Sequence, residues 1–252
     1  VNSNLTVGDL TVTGAFEALG TIKLDGNYPT GTNNVALGDT ALDDGSLSGA
    51  SNTAIGSAAL TANTTGASNT AVGCGALTAN TTANNNVAVG MCAMLATTTG
   101  ANNTAVGFSA LDTNTTGCEN VVVGRDAMFT GTTACRSVAV GYRALKLNTT
   151  ADNNVAVGYQ ALTSNTTGGT NSAFGTSAMH TNTTGYGNTA VGKNSLYTNN
   201  GNNNTSVGHE ALELNSSGSC NVAVGRQALE ANTTGDLNTA IGYFALYANT
   251  TA

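Results

Sequence analysis

Asn52-Thr53-Ala54-Ile55-Gly56-Ser57-Ala58-Ala59-Leu60-Thr61-Ala62-Asn63-Thr64-Thr65-Gly66-Ala67-Ser68 is a unit that the chain repeats along almost its whole length. The glycine in its fifth place returns at Gly38, Gly56, Gly73, Gly90, Gly107, Gly124, Gly141, Gly158, Gly175, Gly192, Gly208, Gly225 and Gly242. The spacing is 17 throughout, except for 18 before Gly56 and 16 before Gly208. Both irregular copies differ in their second half, around Asp43–Ser51 and Asn199–Asn204. A short fixed period is the signature of a solenoid, in which each copy makes one coil and stacking buries the core. The positions of the unit are numbered one to seventeen from its first Asn.

Positions two to four read as a strand. Position two is mostly Val or Thr (Thr53, Val87, Val138, Val222), and position four is apolar and mostly β-branched (Ile55, Val72, Val89, Val106). These two share one face, because side chains alternate along a strand. Position three points the other way and is Ala except at Val122 and Ser206. The glycine at five implies a positive φ or a close backbone approach. Position eight is Ala except at Ser195, and position nine is always Leu or Met. Positions twelve to fifteen, usually Asn-Thr-Thr-Gly, are turn chemistry, where Asn and Gly tolerate left-handed backbone. The expected fold is all-β: a parallel β-solenoid, or β-roll, of thirteen 17-residue coils. Coils stack at about 4.8 Å, giving a rod of roughly 60 Å.

The expected core is position four packed on position nine: Ile55 and Leu60, Val72 and Leu77, Val89 and Met94, Val106 and Leu111, Val140 and Leu145, Val157 and Leu162. One Val and one Leu per coil contribute roughly 3–6 kcal/mol. Ordering a residue costs about 1–2 kcal/mol in backbone entropy. The balance is thin for one narrow roll. The alanines at position three, Ala54, Ala71, Ala88, Ala105, Ala139, Ala156, Ala173 and Ala190, are therefore read as a second packed face where three chains meet in a homotrimer; the alternative is that position three faces the inside of a single, wider solenoid.

Composition excludes several classes. Charged residues are 8% of the chain and the net charge is −7. Seven Lys and Arg do not make the clustered cationic footprint that nucleic acid requires. No apolar run approaches the ~18 residues of a membrane span.

Candidate chemistry is sparse, and no catalytic, cofactor-binding or metal-ligating residue is assigned. His180 and His209 occupy positions ten and six of different copies and should not converge. Glu210 and Glu213 are the nearest acidic pair along the chain, and a glycan-cleaving site would need two carboxyls about 5–10 Å apart in a groove. Cys118 and Cys135 both occupy position sixteen, so stacking brings their Cα atoms to about 5 Å, within disulfide range. The sequons at Asn63, Asn80, Asn114, Asn148, Asn165, Asn182, Asn215, Asn232 and Asn249 read first as a turn ladder and second as glycosylation sites. Tyr142, Tyr159, Tyr186, Tyr197, Tyr243 and Tyr247 are scattered aromatics that a sugar or receptor would favour. Regular Thr rows also suit an ice-binding face.

Asn-Thr-Ala-Ile-Gly (52–56), Asn-Thr-Ala-Val-Gly (69–73) and Asn-Val-Ala-Val-Gly (154–158) resemble the Ser-Val-Ala-Ile-Gly motif of trimeric autotransporter adhesin heads. Those heads are trimers of left-handed β-rolls with a repeat near fourteen residues, so the Asn-Thr-Thr-Gly turn here would be an enlarged loop. The chain is still more similar to repeats of bacteriophage tail fibres, especially those of marine and cyanobacterial phages. Asn-Leu-Thr-Val-Gly-Asp-Leu-Thr-Val-Thr-Gly (4–14) and Gly-Thr-Ile-Lys-Leu-Asp-Gly (20–26) resemble fibre-shaft segments that precede such repeats. The resemblance implies an N-terminal connector over 1–30 and a repeat domain over 31–252. It implies a non-enzymatic homotrimeric fibre on a virion tail or cell surface, supporting attachment to a host receptor or glycan, without nucleic-acid binding or membrane insertion. A bacterial surface adhesin or extracellular filament is the alternative.

Overall fold

The computed structural model describes residues 32–251. The expected connector over 1–30 lies outside the described residues. Thirteen three-residue strands, from β1 (Val35–Leu37) and β2 (Thr53–Ile55) to β13 (Thr239–Ile241), each pair in parallel with the next in chain order. Equivalent positions align: Thr53 with Thr70, Ala54 with Ala71, Ile55 with Val72. The 18- and 16-residue copies keep this register, Val35 opposite Thr53 and Thr189 opposite Thr205. Their length changes fall in the turns, where a residue is absorbed with little effect on the ladder. Each coil is numbered here by its strand.

Backbone hydrogen bonding between coils continues beyond the sheet. The Leu60 N–H donates to Ala76 O (3.0 Å), Ala62 N–H to Thr78 O (3.1 Å) and Thr64 N–H to Thr81 O (2.9 Å). Within a coil, Ala59 N–H reaches Gly56 O and Asn63 N–H reaches Leu60 O. Most polar backbone groups of a very narrow coil are thereby satisfied, as burial requires.

The strand faces are the reverse of the expected ones. Ala54, Ala71, Ala88, Ala105, Ala139, Ala156, Ala173 and Ala190 are fully buried in their own chain's core, so they do not face a second chain. Ile55, Val72, Val89, Val106, Val140 and Val157 point outward; Ile55 is 39% exposed and Val106 37%. Leu60, Leu77, Met94, Leu111, Leu145 and Leu162 are fully buried, packed with the alanines of positions three and eight. Coil size explains the choice. Seventeen residues enclose room for one Leu or Met per coil, and only Ala fits on the walls beside it. A Val at position three is accommodated once, at Val122, which is also fully buried.

Left-handed backbone also falls elsewhere than expected. In coil two it lies at Ala58 (φ 56), Leu60 (φ 53) and Ser68 (φ 59), not at positions twelve to fifteen; Gly56, at φ 133, has the positive φ expected of position five. A β-branched side chain is more strongly disfavoured at positive φ than an unbranched one; among the described residues only Thr40 and Thr170 are β-branched and left-handed. Position nine must be both large and left-handed, which accounts for Leu and Met there and for the absence of Val and Ile.

Asn supplies the corners by its side chain. Asn52 Nδ2 donates to Gly66 O (2.9 Å) while Asn52 Oδ1 accepts the Asn69 N–H of the next coil (2.9 Å). At position twelve, Asn80 Nδ2 donates to Asn63 Oδ1 (2.8 Å), and Asn63 Nδ2 to Gly66 O (2.9 Å). Two buried amide columns thus run inside the rod, most of their Asn accepting from or donating to the equivalent Asn one coil away, with the position-twelve column broken at Thr97 and Gly131.

The two serines that break the alanine columns meet each other. Ser195 Oγ lies 2.6 Å from Ser206 Oγ, and Ser206 Oγ donates to Ala211 O (2.8 Å). Ser195→Ala and Ser206→Ala are each expected to cost about 0.5–1.5 kcal/mol, and the double variant less than their sum. A double-mutant cycle by urea denaturation measures this; strict additivity would refute the coupling.

Candidate functional site

The outward face of the sheet runs the length of the described coils. It consists of positions two and four of thirteen strands, twenty-six residues from Val35 to Ile241. None is charged, and all are Val, Thr, Ile, Leu, Phe or Ser. Val121, Val123, Phe174, Val191 and Val207 are among its exposed side chains. Its position-four row is apolar in every copy, and its position-two row is divided between Val and the hydroxyl residues Thr and Ser.

The flank beyond the position-five glycine carries the aromatics and most cations, and stacking brings together what is scattered along the chain. Tyr142 and Tyr159 stack at 5.3 Å, and His180 stacks on Tyr197 at 5.1 Å. Arg125 lies over Phe108 (5.4 Å) and Arg143 over Tyr142 (4.9 Å). Tyr243 and Tyr247 both touch Phe244 in the last coil, whereas Tyr186 stands in another column. Arg125 and Arg143 both approach Asp126 at 3.6 Å.

The two histidines stay apart. Burial lowers the pKa of His180, and His209 Nδ1 lies 3.2 Å from Glu210. Glu210 and Glu213 are joined by Glu230 from the next coil, and one oxygen of each lies within 4.8 Å of the others. Burial raises the Glu213 pKa, and the charges of Glu210 and Glu230 add to it; Asn194 Nδ2 donates to its carboxylate at 3.3 Å. Sequence separation hid Glu230, although the 17-residue period places it one coil above Glu213. Glu230 Oε2 is buried without a hydrogen-bond partner, but the three residues are only partly buried, and acidic groups of this kind are common without an ion.

Asn63, Asn80, Asn114, Asn148, Asn165, Asn182, Asn215 and Asn232 are fully buried, and each side-chain amide is donated within the rod. A glycan on any of these nitrogens is incompatible with the folded coil. Asn249, in the last coil, is partly buried and donates to Asn232 Oδ1 (3.2 Å).

All five cysteines are free. Cys118 and Cys135 are adjacent: the Cys118 N–H donates to Cys135 Sγ at 3.0 Å. The hydrogen bond with Cys135, and then burial, push the Cys118 thiol up to about 11. Among the described residues, no helix is long and apolar enough to cross a membrane. No family model, curated protein or solved structure matches the chain.

Proposed function

We propose that the chain is a structural fibre protein, the shaft or head of a homotrimeric fibre on a virion tail, which supports attachment to a host-surface receptor or glycan. A bacterial surface adhesin or extracellular filament is the same molecule in another setting. The reading assigns no catalytic role. The observation that carries it is the uncharged outward face of the sheet, continuous over thirteen coils.

The occupant proposed for that face is further copies of the same chain. A strip about 60 Å long and three residues wide offers on the order of 400–600 Å² per chain. A standard interface buries about 800 Å² per partner. Three chains meeting about one axis cover both edges of each strip together with its centre. Depletion of charge is the mark of a buried interface core, and these rows carry none. Continuous ladders, buried Asn columns and tight turns make the coil stiff, as a spacer between particle and host must be. The motif resemblance to tail-fibre repeats and adhesin heads directs the choice of setting.

Ice binding is disfavoured by where the Thr hydroxyls go. Those of Thr64, Thr98 and Thr115 at position thirteen are donated to the next coil (3.0–3.1 Å).

Native mass by light scattering, with and without SDS at room temperature, tests the assembly. A mass of three chains is expected; a single-chain mass in plain buffer would overturn it.

A further inference from the structure

The position-twelve column is interrupted in coil four, by Thr97, and again in coil six, and each break leaves a buried amide oxygen without a partner, at Asn80 and at Asn114. In coil six the residue is Gly131, which offers no amide to Asn114 in coil five. Position one of coil seven is Ser137, so the first Asn column also loses a side-chain amide. On its far side, coil six is held by charge: Arg136 donates to Asp152 (3.1 Å) and Asn153 (3.0 Å), and the Cys135 N–H to Asp152 Oδ1 (2.8 Å). On its near side, facing coil five, stand two thiols.

We propose that Cys118 and Cys135 form a redox-closed clip, a disulfide between coils five and six across the Gly131 gap in the Asn column. The register requires them to be neighbours, because both occupy position sixteen and β5 (Thr104–Val106) pairs with β6 (Val121–Val123) residue for residue. In-register coils bring equivalent Cα atoms to about 4.8 Å, inside the range a disulfide bridges. Side-chain direction agrees: the two thiols are within hydrogen-bond reach of each other, and the Cys135 side chain turns back to the backbone N–H of coil five. Ser219 N–H with Asp236 Oδ1 (2.6 Å) and Ala67 N–H with Asn84 Oδ1 (2.7 Å) show the same geometry as Cys118 N–H with Cys135 Sγ. Both thiols are partly exposed, so a small oxidant reaches them.

The oxidant class is a low-molecular-weight disulfide such as oxidised glutathione. One cysteine thiolate attacks it, its S–S bond breaks, and one glutathione thiolate leaves. The second cysteine thiolate then attacks the mixed disulfide at the protein sulfur and expels the other. Two protein thiols are oxidised to one disulfide, one glutathione disulfide is reduced to two thiols, and the two protons from the cysteines pass to the leaving thiolates. Closing a ring of this length removes freedom from the unfolded chain.

The test uses the whole chain, reduced, then equilibrated with oxidised glutathione and quenched by alkylation. Cleavage after Glu119, Arg125 and Arg136 separates the two cysteines, so mass spectrometry identifies the linked peptide. A Cys118–Cys135 link is expected, together with a thermal midpoint several degrees above that of the reduced chain. That rise should vanish in Cys135→Ser and persist in Cys220→Ser. Alkylation of both Cys118 and Cys135 under conditions where the exposed Cys220 is fully glutathionylated would overturn the proposal. So would links found only between chains.

Discussion

Gly158→Ala is expected to destabilise the rod by roughly 3 kcal/mol or more, against about 1 kcal/mol for Gly168→Ala in the same coil. At Gly158, φ is +142, a region that L side chains rarely adopt, and a Cβ would lie 2.5 Å from Gly175 O and 2.7 Å from Gly175 C. Both obstacles are backbone, and moving them opens the ladder to the next coil. The same contact recurs at Gly107, Gly124 and Gly141, which is why no copy departs from glycine at position five. Gly168 would also be crowded, with Gly185 O at 2.2 Å and Asn165 Oδ1 at 2.8 Å, but its φ is not left-handed. Position fifteen already holds Ala83, Ala134 and Ala151 in other coils, so the turn can withdraw there. Urea midpoints of the two variants measure the difference. Equal losses would mean that crowding alone, and not the backbone conformation, holds the fifth position.

The second large effect concerns assembly. If the outward face is the trimer seam proposed above, Val106→Lys combined with Val123→Lys reduces the native mass from that of three chains to that of one while leaving the circular dichroism spectrum unchanged. Both side chains point outward and are 37% exposed in the single chain, so lysine there costs the coil little. In a trimer the same face would bury six ammonium groups around the axis. Truncating or mismatching one buried charge partner costs on the order of 2–5 kcal/mol, and like charges here have no partner at all. The contrasting variant is Ala139→Leu, on a fully buried residue of the neighbouring column. It is expected to lose about 1–3 kcal/mol of stability through overpacking and to change the mass only by unfolding. A double-lysine variant that still sedimented as a trimer would remove the outward face from the interface.

The unit length, the strand at positions two to four, the parallel stacking in register and the large apolar side chain at position nine are all legible from residue periodicity. The reason is that a coil can only meet its neighbour at equivalent positions, so one period specifies every ladder. The glycine at five was legible too, since an invariant glycine within one chain admits few physical explanations. Ile55, Val72 and Val106 were not. Strand alternation separates Thr53 and Ile55 from Ala54 but does not say which side is interior. Both faces are apolar here, and the bulkier one was given to the core. The Asn-Thr-Thr-Gly turn was legible as a corner, but its mechanism was not. Asn63 acts through two buried side-chain hydrogen bonds, and the left-handed residues lie at Ala58, Leu60 and Ser68.

By itself, then, the sequence determined a stack of in-register coils, their number and their strand, because these follow from repetition alone. Only the tertiary structure decided which face of each strand lies inside, because that depends on the volume a closed 17-residue coil can enclose. It likewise decided which distant residues meet in ways the period alone does not give: Ser195 with Ser206, and the carboxylates of Glu210, Glu213 and Glu230. Each of these depends on side-chain direction around the coil, which the spacing of residues along the chain does not contain.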